Sequence, residues 1–129
     1  MSGLFWFQVF VGVNVLIVTL LAVNVSRMRL REQVSLGDGG KPTVRNAVRA
    51  HANGVEHVAM FGLLVLALEL AAAPGVLLGT LVIAFTVSRL LHPVGMLGTA
   101  FQMRRLGAGI TFLCEFVGIV ALPVVAMTG

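Results

Sequence analysis

Arg45, Arg49, Asn53 and Glu56 are spaced to act together. At 100° per residue they fall at about 0°, 40°, 80° and 20° around an α-helix, so they form one narrow polar stripe. The stripe runs into an apolar stretch from Val55 to Ala73 whose only further ionisable breaks are His57 and Glu69. A charge in hydrocarbon costs about 2.5–3.5 kcal/mol on insertion scales, so such residues face a bundle interior or a water-filled cavity and mark function. Guanidinium groups grip planar carboxylates bidentately, while an amide and a carboxylate can hold an amide or an ammonium group. The complement is a small zwitterion or polyanion arriving from the cytosol, and a peptide with two carboxylates and one amino group fits. The bland alternative is an Arg/Glu pair that only sets helix register.

A second polar set follows. Arg89 and His92 lie about 60° apart on a helix, and Met96 returns to the Arg89 face. Arg89 is expected to be buried in the bundle. Pro93 removes a backbone donor beside His92 and predicts a kink there; His92 reads either as a ligand contact or as a hydrogen-bonded structural histidine. Arg104 and Arg105, adjacent at a membrane boundary, read on residue type alone as topology anchors. Glu115, about two turns inside the last helix, must be neutralised or paired, with Arg89 and Arg105 as the candidate cations. His51 and His57 point about 120° apart at a spacing of six, which argues against a metal site. Cys114 is the only cysteine, and neither CxxC nor HExxH occurs, so no metal is expected.

The elements that must position these residues are membrane helices. The chain has 129 residues, of which 58% are hydrophobic and 11% charged, and a mean hydropathy of +1.01. Soluble proteins average roughly 45–50% apolar and 25% charged. We expect an all-α integral membrane four-helix bundle, one domain over residues 1–129, with helices at about 3–26, 43–73, 75–97 and 105–127. The segment Leu4 to Leu21 has no preceding Lys or Arg and is too long for a signal-peptide core, so it reads as a retained helix. The nine Lys and Arg residues fall in, or next to, the two loops on one face. By the positive-inside rule that face is cytoplasmic and both termini lie on the other side. The net charge of +4 is explained by this topology and by attraction to anionic membrane lipids, not by nucleic acid. Gly37-Asp38-Gly39-Gly40 lacks the strand, spacing and Lys-Ser/Thr ending of a nucleotide loop.

The run from Arg45 to Glu56, with its Arg49-x-His51-x-Asn53-x-x-Glu56 core, resembles the signature of the MAPEG family, the membrane-associated proteins in eicosanoid and glutathione metabolism. The resemblance extends to Arg29-Leu30-Arg31, Arg89-Leu90-Leu91-His92 and Arg105, and with Gly37-Asp38-Gly39-Gly40 it is nearest to a small bacterial inner-membrane branch. It implies a four-helix subunit in a homotrimer, with glutathione bound between subunits toward the cytoplasmic side. Arg29, Arg31, Arg49, Asn53, Glu56, Arg89 and His92 match glutathione-contacting positions. Arg105 matches the catalytic arginine that stabilises the thiolate. Two positions depart from the eukaryotic pattern: Ala52 stands in place of an arginine, and Met96 in place of a tyrosine near the sulfur.

Three function classes follow. One is a glutathione transferase or glutathione-dependent peroxidase acting on a lipophilic small molecule. Another is a non-catalytic glutathione- or lipid-binding structural membrane protein of the same fold. The third is a small multidrug transporter, which needs an acidic residue in the first helix; Gly3 to Val25 has none.

Overall fold

The computed structural model describes residues 3–98 and 100–128; the outermost ends of the expected 1–129 domain, Met1, Ser2 and Gly129, lie outside the described residues. The described residues form four helices: α1 (Phe5–Glu32), α2 (Pro42–Leu70), α3 (Gly75–Leu97) and α4 (Phe101–Thr128). Each is long and apolar enough to cross a membrane. At 1.5 Å per residue the longer helices span about 42 Å, more than the ~30 Å hydrocarbon core, so their ends reach the headgroup layers.

The helix bounds correct the sequence reading in three places. Arg27, Arg29 and Arg31 belong to the last turns of α1, not to a loop. Arg, Met, Leu and Glu are strong helix formers, and cations are favoured at a helix C-terminus, so the helix runs on until Gln33 turns left-handed at φ 56°. α4 begins at Phe101, which puts Arg104 and Arg105 in its first turns rather than in a connection. α2 starts at Pro42, where the missing N–H would have had no helical partner, and ends at Leu70, three residues short of the expected end. α3 matches its expected bounds and continues through Pro93.

α2 and α3 form the centre of the bundle, with α1 and α4 each packed on both of them; among the described residues α1 and α4 do not touch. The core is aromatic. Phe61 of α2 and Phe85 of α3 stack with centroids 4.1 Å apart and 6° between planes, and Phe10 of α1 tilts against both at 5.7 and 5.5 Å. All three rings are buried, and such pairs add about 0.5–1.5 kcal/mol beyond the area they bury. On the outer faces Leu16, Leu20, Phe112, Phe116 and Ile119 stay exposed, as suits contact with lipid.

Polar crosslinks fix the register. In the membrane-spanning part of α1, the Asn14 Nδ2 donates to Thr86 Oγ1 of α3 at 2.9 Å and to the Phe10 carbonyl at 3.1 Å. Near the N-terminus of α1, Glu69 of α2 accepts from the Trp6 and Phe7 backbone N–H groups at 3.0 and 2.7 Å. α1 has no capping side chain or acidic residue in its own first turn, so the carboxylate of α2 satisfies donors that would otherwise be orphaned.

The contact that matters most for the site is between α3 and α4. A Cβ on Gly107 would lie 2.8 Å from the His92 nitrogen and 3.0 Å from the Ser88 oxygen, and one on Gly95 would collide with the Arg104 backbone. These two glycines let α4 lie directly on the end of α3, the small-residue device by which membrane helices approach closely.

Candidate functional site

The close approach of α3 and α4 opens a cavity of about 670 Å³ between them and α2. That volume is within the roughly 300–1,000 Å³ typical of ligand pockets. α2 contributes Arg45, Asn46, Arg49, Asn53 and Glu56, α3 contributes His92 and Met96, and α4 contributes Arg104 and Arg105. The whole α2 stripe therefore faces one space, and Arg105 of the same subunit closes it from the other side.

Among the described residues, no side-chain hydrogen bond or ion pair within the chain holds Arg45, Arg49 or Glu56; the only ion pair joins other residues. The stripe is thus not an internal Arg/Glu register pair. The Arg104 and Arg105 guanidinium groups sit 4.9 and 5.8 Å from the Phe101 ring centroid, a cation–π arrangement that keeps both side chains beside the cavity. Four guanidinium groups face a single carboxylate, so the cavity selects for anions.

Of the residues expected from sequence, the cavity gathers Arg49, Asn53, Glu56, His92 and Arg105. Three others stand outside its lining. The Arg29 Nε donates to the Gly37 carbonyl at 3.2 Å and ties down the loop after α1, and Arg31 is exposed at the end of that helix. Arg89 is buried, as expected, at 2% exposure, but it lies behind the cavity wall. Its Nη1 donates to Asn53 Oδ1 at 2.9 Å, its Nη2 to Thr111 Oγ1, and its Nε to Ser88 Oγ at 3.4 Å.

Glu115 corrects another expectation. Its partner is neither Arg89 nor Arg105 but His57 of α2, whose Nδ1 lies 2.7 Å from Oε1. Arg105 is ten residues away along α4, about 15 Å of helix rise, and Arg89 is engaged by neutral acceptors. Arg104 is the lining residue that sequence reasoning undervalued: an arginine pair at a membrane boundary reads as an anchor until α4 is seen to start at Phe101. No cluster of metal-ligating side chains occurs among the described residues.

The sequence matches the MAPEG family over residues 7–123. The chain belongs to that family. Among curated relatives it is similar to inner membrane protein YecN of Escherichia coli strain K12, at 29% identity over 99 residues, which is 77% of this chain and 76% of that protein. YecN of E. coli O6:H1 strain CFT073 matches to the same extent. No solved structure gives a significant match. Within the MAPEG chain, the matched segment spans every residue of the cavity, from Arg45 on α2 to Ala108 on α4.

Proposed function

We propose that this MAPEG protein binds glutathione in the α2–α3–α4 cavity and uses its thiolate as a transferase or peroxidase on lipophilic electrophiles drawn from the bilayer. One observation carries the reading: Arg45, Arg49, Arg104 and Arg105 surround a cavity with a single carboxylate, Glu56, and the three groups on α2 have no partner in the chain. Glutathione is the matching ligand in charge. Its two carboxylates suit bidentate guanidinium donors, and its ammonium suits Glu56.

The chemistry then follows from Arg105. A guanidinium beside the thiol favours the anion, and the proton leaves to solvent. In transfer, the sulfur forms a bond to an electrophilic carbon while the leaving group departs with the bonding electrons. Against a hydroperoxide, the sulfur takes the terminal oxygen and the O–O bond breaks to an alkoxide that is protonated to the alcohol. A second glutathione converts the resulting sulfenic acid to the disulfide and water. Met96 on the cavity wall, in a chain without tyrosine, supports a second reading in which glutathione is bound without turnover, since a thioether cannot donate to the sulfur.

The family also supports a homotrimer in an inner membrane, where the α1 end of one subunit would present Arg29 and Arg31 to its neighbour's cavity. Both termini are then on the non-cytoplasmic side. A phosphatase reporter fused after Gly129 is expected to be active outside the cytoplasm, because all nine basic residues lie toward the opposite ends of the helices. A cytoplasmic reporter signal would reverse the orientation.

Glu56→Gln tests the glutathione reading directly. It is expected to weaken binding, measured by calorimetry on purified protein, by about 1–3 kcal/mol, the loss of a charged hydrogen bond. The oligomer should stay intact. Unchanged affinity with a dissociated oligomer would make Glu56 a structural residue.

A further inference from the structure

Arginine has five N–H donors and no acceptor, so whatever it bonds must offer an oxygen. The Arg89 Nη1 lies 2.9 Å from the side-chain amide of Asn53, and this contact alone decides which way that amide faces. We propose that Arg89 is a positioning residue that holds the Asn53 oxygen inward and leaves the Asn53 NH2 group as a donor to the cavity. The ligand group opposite Asn53 is then an acceptor, a carboxylate or a peptide carbonyl, and not the ammonium. Glu56, the only carboxylate in the lining, is left as the ammonium partner. This assignment separates two side chains that residue type alone allows to share one role.

The anchor is rigid because every part of it is held. Arg89 reaches one acceptor on each of three helices: Asn53 on α2, Ser88 on α3 and Thr111 on α4. Thr111 Oγ1 is itself fixed by donation to the Gly107 carbonyl at 2.9 Å, and Ser88 Oγ by donation to the Phe85 carbonyl at 2.6 Å. The guanidinium also lies 5.4 Å from the Phe85 ring centroid. Among the described residues no carboxylate ion-pairs with Arg89, and Glu115 acts on it only at longer range, so the guanidinium is held by neutral oxygen acceptors alone. The amide orientation, fixed from three helices, favours an acceptor opposite Asn53.

The identity of the ligand rests on the glutathione reading; the Arg89–Asn53 coupling does not. Two measurements keep them apart. Asn53→Asp retains an oxygen for Arg89 but turns an acceptor toward the cavity. It is expected to fold and to bind glutathione at least tenfold more weakly than wild type. Binding that is equal or tighter would mean that the Asn53 oxygen faces the ligand, and would overturn the proposal. Thermal unfolding in detergent supplies the ligand-free arm: Asn53→Ala should lower the midpoint clearly in the wild-type background and much less in Arg89→Met, because the buried donor it orphans is then absent. If Arg89→Met does not fold, Arg89→Lys replaces it, and the loss on adding Asn53→Ala should still shrink. Equal losses in both backgrounds would sink the positioning role. Wild-type protein that binds no glutathione would remove the ligand assignment, and the unfolding cycle would still decide the coupling.

Discussion

Arg105→Ala is expected to abolish the ultraviolet thiolate signal of bound glutathione and to lower any glutathione-dependent turnover by about 10²–10³, the usual effect of removing one donor that stabilises a developing anion. A free cysteine thiol ionises at about pH 8.5, so at neutral pH most of it is protonated. A guanidinium that touches the sulfur shifts that balance, and binding should release a proton at pH 7. Arg105 and Arg104 both line the cavity, but in the proposed chemistry only Arg105 touches the sulfur, and Arg104 is left as a partner for a carboxylate. Arg104→Ala should therefore weaken binding, through the loss of a carboxylate partner, while the thiolate signal of the bound fraction stays. Stopped-flow absorbance with each variant separates the two roles. If glutathione binds to the wild-type protein and remains fully protonated, the catalytic reading fails and the second reading, binding without turnover, takes its place.

The α2 stripe was legible because its information is local. Positions 45, 49, 53 and 56 share a face in any α-helix, and the cavity uses all four. Span number was legible for the same reason, since hydropathy is a property of a window. What the sequence could not carry was the register between helices. Glu115 needed a cation, but whether α4 would bring it to His57 or to an arginine depends on how far α4 is slid along α2, and no residue near Glu115 encodes that distance. The same holds for Glu69, which reads as a stray charge in an apolar stretch and turns out to serve the first N–H groups of α1. Arg89 was correctly placed inside the bundle; its separation from the cavity by Asn53 is a matter of one side chain's depth. Arg104 was missed because helix starts are set by weak local preferences, and shifting the start of α4 to Phe101 turns a loop residue into a wall of the cavity.

The helix register itself makes the strongest stability prediction. Gly107→Ala is expected to destabilise the bundle by about 1–3 kcal/mol or more, and Gly109→Ala, two residues further along α4, to leave it as stable or up to about 1 kcal/mol more stable. The two substitutions add the same methyl group to the same helix, and each gains up to about 1 kcal/mol of helix propensity over glycine. Their surroundings differ. A Cβ at Gly109 meets nothing within 4 Å, whereas one at Gly107 meets the His92 nitrogen and the Ser88 oxygen. Those are backbone atoms of α3, which cannot rotate away as a side chain can, so α3 and α4 must part. Parting them pulls on Thr111, whose hydroxyl is bonded to the Gly107 carbonyl and to Arg89, and moves Arg105 away from the α2 stripe. The Gly107 variant should therefore lose both its thermal midpoint in detergent and its glutathione affinity, with the Gly109 variant as an internal control for each. Identical behaviour of the two would mean that α3 and α4 are not in backbone contact at this level, and the geometry of the cavity would have to be redrawn.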